Sequence, residues 1–64
     1  MPWTPMRYPA AMRHLSEAAR EKAIEIANAL LDEGMDEGLA IRIAIARAKD
    51  WARGRGLPVR DSEE

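Results

Sequence analysis

In residues 38–52, GLAIRIAIARAKDWA, apolar positions recur at intervals of three and four, which predicts a helix. Placed at about 100° per residue, Ala40, Ile41, Ala44, Ile45, Ala48, Trp51 and Ala52 fill one broad side. Leu39 and Ile43 carry the apolar surface around the other flank, leaving a narrow polar stripe of Arg42, Lys49, Asp50 and Arg53. That is more apolar circumference than one neighbouring helix can bury. Arg47 falls between Ile43 and Trp51 on the apolar side, so it either pairs with an acid or marks the edge of the core.

A first helix is predicted over residues 16–33. Ser16 is placed to cap it, with Glu17 and Glu21 in the opening turns, where they suit the helix dipole. Ala19, Ala23, Ile24, Ile26, Ala27, Leu30 and Leu31 share one arc, and Glu21, Glu25, Asn28 and Asp32 lie opposite. Arg20 intrudes on the apolar arc, and its long stem is expected to lie along the surface with the head in water. Gly34 should end this helix in a left-handed conformation, bringing Met35 over Leu30. Asp36 then caps a second helix over residues 36–53, with Gly54 as its stop and Gly56 and Pro58 preventing resumption. So short a connection makes the two helices neighbours. Gly38 costs helix propensity, for which close backbone approach is the expected reason.

Ahead of the helices, residues 1–15 form an arm in which Pro2, Pro5 and Pro9 interrupt any long helix. Trp3, Met6, Tyr8, Met12 and Leu15 make it too apolar for a solvated tail, so it should fold back with Trp3 as anchor. Pro9 suits the start of a short helical turn through Arg13. Residues 54–64 are polar and unpatterned and are expected to be a flexible tail, with docking of Leu57 and Val59 left open. The fold class is therefore all-α: a proline-rich arm with a short helical turn (1–15), a two-helix core (16–53) and a tail (54–64).

Length changes the picture, because a chain of 64 residues buries only about 60% of the surface it exposes when unfolded. Without cysteine, neither disulfides nor thiolate metal sites can help, which leaves association as the aid. No apolar run approaches the roughly 20 residues of a membrane span and there is no secretory leader pattern, so a soluble cytoplasmic protein is expected. The net charge of −1 conceals an uneven distribution. Residues 16–38 carry seven acids against Arg20 and Lys22, whereas residues 39–60 carry six bases against Asp50. Arg7 and Arg13 lie in the arm, and Asp61, Glu63 and Glu64 end the chain. An acidic first helix and a basic second one attract each other, within a chain or between two.

Candidate chemistry is sparse. His14 stands alone, so zinc or nucleophile–base sites lack partners, and the expectation is no enzyme, no cofactor and no metal. Asp32, Glu33, Asp36 and Glu37 cluster at the corner but do not follow the EF-hand spacing. A helix-turn-helix register fits poorly, since Leu30 falls where a small residue belongs and Glu33 where an apolar one does. The acidic corner would also repel phosphate. Arg42, Lys49, Arg53 and Arg55 nonetheless form a basic stripe that makes nucleic-acid contact the alternative function. Partner binding has the stronger motive, because apolar surface left uncovered on a small protein marks an interface. The expected interface residues are Trp3, Leu39, Ile41, Ile43, Ile45 and Trp51, and the expected state is a homodimer with no membrane association.

The pattern of MPW, Tyr8-Pro9, Met12, Arg13, Leu15, REKAIEIANALL over residues 20–31, the Glu33-Gly34 and Glu37-Gly38 pairs, and AI, IAIA, AK and Trp51 resembles the YdaT-like small bacterial proteins. The likeness covers about the first 52 residues. A fainter similarity links the chain to the ChaB-like proteins, which share a proline-containing arm and a late A-K and W and are described as cation-transport regulators. The resemblance implies a compact helical module, bacterial and cytoplasmic, sometimes linked to stress response, with no catalytic residues to carry over. Met35 replaces an expected aromatic residue, Leu39 a base that is common there, and Ser16 a helix-starting proline. Leu39 thereby adds apolar surface and puts a shared polar-ligand role of that corner in doubt. Longer relatives append a second domain, whose functions would not transfer.

Overall fold

The computed structural model describes residues 3–60; Met1, Pro2 and the terminal residues 61–64, including the acids read there, lie outside the described residues. A 3-10 turn at Ala10–Met12 is followed by helix α1, Glu17–Asp32, and helix α2, Glu37–Gly54, packed on each other. The two-helix all-α reading holds.

Both helix starts follow from short polar side chains that accept backbone hydrogen bonds. Ser16 Oγ accepts from Ala19 N at 3.1 Å, and Asp36 Oδ2 accepts from Leu39 N at 3.2 Å. The corner closes as its glycine requires: Gly34 has φ +92°, its N–H donates to Leu31 O at 2.9 Å, and Met35 N donates to Leu30 O at 3.1 Å.

The far end of α2 differs from expectation. Gly54 is still helical, and the left-handed residue is Gly56, φ +71°, with Gly56 N donating to Arg53 O at 3.1 Å and Leu57 N to Ala52 O at 2.8 Å. The same two-bond closure thus ends both helices, and the second comes two residues later than the first glycine would allow. Gly38 also departs from expectation. A Cβ there would meet only Asp36 Oδ2 at 3.4 Å, an ordinary contact, so close backbone approach does not explain it.

Alanines make the seam between the helices. Ala19, Ala23 and Ala27 of α1 and Ala44, Ala48 and Ala52 of α2 are fully buried in one cluster, each set repeating every fourth residue along one ridge. Small side chains of this kind leave space above the seam, and the arm fills it. Met12 and Leu15 are the largest fully buried side chains, and Trp3 and Tyr8 pack against the same cluster. The arm is therefore part of the core.

Polar bonds hold the arm and the end of the chain in place. The Asn28 side chain grips Trp3 at two points, with Oδ1 accepting from Trp3 N at 2.8 Å and Nδ2 donating to Trp3 O at 2.9 Å. The Arg20 guanidinium donates to Leu15 O at 2.9 Å and Arg13 O at 3.3 Å and lies 4.8 Å from the centre of the Tyr8 ring. Its head serves the arm's carbonyls, where the sequence reading sent it to water. Between Trp3 and Tyr8, Thr4 and Arg7 exchange backbone hydrogen bonds of 2.8 and 3.0 Å, and the turn between them holds Met6 at 91% exposure.

Within the segment expected to be a tail, residues 58–60 lie against the start of α1. Ser16, 7% exposed, donates its N–H to Val59 O at 2.8 Å and its Oγ–H to Pro58 O at 2.7 Å. Leu15 and Arg60 form an isolated bridge, and Val59 packs on the core. Residues 58–60 return to the start of α1 because the core leaves an apolar seat for Val59 beside an N-cap with bonds to offer.

Candidate functional site

The proposed interface residues divide between two settings. Ile41 and Ile45 flank the alanine seam and pack against the core cluster, as do Trp3 and Trp51; all four are half-buried. Leu39 and Ile43 lie on the other flank of α2, turned away from the seam by the helical spacing. Leu39 is 41% exposed and Ile43 half-buried, with exposed Ala46 continuing the strip one turn further. The α2 surface is thus neither fully covered within the protomer nor open over its whole apolar width.

The basic residues share that outer side. Arg42 and Arg53 are exposed and Lys49 is half-buried, whereas Arg55 lies just past the helix end. Arg53 Nη1 contacts Asp50 Oδ1 at 3.1 Å. Arg55 has a different neighbour: its guanidinium carbon sits 5.3 Å from the centre of the Trp51 ring, and Lys22 Nζ lies 5.4 Å from the same centre. The stripe read from the sequence is therefore interrupted by an acid, and its last member is engaged by an indole. Arg47 is exposed and marks the edge of the core.

Trp51 also lines an open depression of about 360 Å³ with Ala18, Glu21, Lys22 and Glu25. Lys22 bridges to Glu25 at 3.2 Å within it. The lining carries carboxylates, one ammonium and an indole, without a nucleophile–base pair. Among the described residues no group of three or more His, Cys, Asp or Glu side chains is arranged to hold a metal ion. No helix among them is long and apolar enough to cross a membrane.

Sequence reasoning missed the residues that fix the arm. Asn28 reads as part of the solvated face, yet it holds Trp3; Arg20 reads as a snorkelling stem, yet it gathers two carbonyls and a tyrosine ring. The one available signal was a polar side chain beside an apolar arc facing an arm rich in prolines.

Over 52 residues, 81% of its length, the chain is 54% identical to the uncharacterised protein YdaT of Bacillus subtilis (strain 168). The chain is YdaT-like. It spans 35% of that relative's length, and the relative's name assigns no activity. No family model matches the chain. No solved structure matches it either.

Proposed function

We propose that this YdaT-like chain is a non-enzymatic helical module that works by protein–protein contact, with self-association as its basic mode. The observation that carries this reading is the outer face of α2, where Leu39 stays 41% exposed and Ile43 half-buried after the arm and α1 have packed. A chain of 64 residues without disulfides also gains stability from any partner that binds its folded form. The opposite charges of the α1 and α2 surfaces favour contact between copies over indiscriminate aggregation. Sedimentation of the chain from micromolar to millimolar concentration tests the reading. The expected result is a rise in mass towards that of a dimer, and a strictly monomeric species across the range would overturn it.

A second reading, a nucleic-acid accessory role, is favoured by the exposure of Arg42 and Arg53 on the side of α2 away from the acidic α1, and of Arg55 just past its end. Asp50, in contact with Arg53, weighs against it. Binding of DNA or RNA that falls steeply with added salt would support this role, and absence of binding at low salt would remove it.

A further inference from the structure

We propose that residues 3–8 form a strap that opens apart from the rest of the protein, with Asn28 as its latch and its hinge at the junction of Tyr8 and Pro9. The arm is attached in two different ways along its length. Its inner half, residues 9–15, is fixed by burial: Met12 and Leu15 are fully enclosed, and the Arg20 guanidinium holds Arg13 O and Leu15 O. Its 3-10 turn is closed from within, Met12 N donating to Pro9 O at 2.9 Å and Arg13 N to Ala10 O at 3.0 Å.

The outer half is held at its ends. Among the described residues, its hydrogen bonds to the helices are the two that Asn28 makes to Trp3, and its packing on the core is through the Trp3 and Tyr8 rings. Between those rings Thr4, Pro5, Met6 and Arg7 are all exposed. The turn they form is tied to itself, because Thr4 and Arg7 exchange backbone bonds and Thr4 Oγ1 accepts from Met6 N at 3.2 Å and Arg7 N at 3.1 Å. A turn closed by its own bonds travels as one piece. The latch is of a kind that water can replace, since both Asn28 bonds join neutral groups at a half-buried position. Arg20 can give up the Tyr8 ring and still keep its two carbonyls. Pro9 has no N–H, so the swing breaks no backbone bond at the junction, and it falls on the torsions of Tyr8 because Pro9 O stays with Met12. Opening bares the part of the buried cluster that Trp3 and Tyr8 cover, while α1, α2, Met12 and Leu15 keep their packing.

Nuclear magnetic resonance of the full chain and of Asn28→Ala tests the strap. Asn28 is half-buried on α1 and alanine is the better helix former, so the variant should keep both helices. In the parent chain the Trp3 amide should exchange with solvent roughly tenfold or more faster than the amides of Ala23 and Ala27, which open only with α1 itself. In Asn28→Ala the Tyr8 ring resonances, at the far end of the strap, should move towards their unfolded positions, while the Met12 methyl and the α1 amides keep theirs. A Trp3 amide as slow as those of Ala23 and Ala27 in the parent chain overturns the proposal. So does a change in the variant that stays at Trp3, since the strap would then not move as a unit, or one that spreads to Met12, since the arm would then open whole.

Discussion

Ser16 carries more of the fold than its size implies. Its hydroxyl caps α1 and donates to Pro58 O, while its N–H donates to Val59 O. Replacing Ser16 with Ala removes the cap and the Pro58 bond together and should cost about 1–2 kcal/mol in a denaturant titration. Amide exchange should place the loss at Ala19, whose N–H gives up its acceptor. The capping half of this role was legible in the sequence, because a serine before an apolar-periodic run is a local rule. The other half was not, since nothing in the composition of residues 54–60 says where their carbonyls go. Asn28 illustrates the same limit: its grip on Trp3 spans 25 residues of chain, and helical periodicity assigns it to solvent.

Among the elements, helix boundaries divide by whether a local signal was unique. Gly34 was the lone glycine at its corner, and the predicted stop was found there, with φ +92°. The α2 terminus offered Gly54 and Gly56, and propensity could not choose between them; the left-handed turn fell on Gly56, φ +71°, two residues before Pro58. This gives a paired prediction for thermal melting. Gly34→Ala forces a side chain into a left-handed conformation and should destabilise by about 1–2 kcal/mol. Gly38→Ala meets no more than an ordinary contact at 3.4 Å and should stabilise by up to about 1 kcal/mol, because α2 gains a better helix former. Equal effects at the two sites would mean that the corner is not closed by its glycine.

For the molecule as a whole, the seam was only half legible. Helical spacing placed alanine and isoleucine alike on the broad side of α2, whereas of these only Ala44, Ala48 and Ala52 are fully buried in the common cluster. The remaining volume goes to Met12 and Leu15, whose irregular approach through a 3-10 turn has no period to read. A domain of 64 residues has roughly 3–10 kcal/mol of stability in total. Met12→Ala, at about 2–5 kcal/mol, would remove much or all of it. Far-ultraviolet circular dichroism should show α1 and α2 melting together in that variant, at a lower temperature than in the parent chain. The two thioethers at positions 6 and 12 also differ in what an oxidant can reach, the first being 91% exposed and the second sealed at 0%. Dilute peroxide should convert Met6 to its sulfoxide while the fold persists, whereas Met12 can react only when the arm lifts away. The ratio of the two rates, read by mass spectrometry, becomes a clock for that opening.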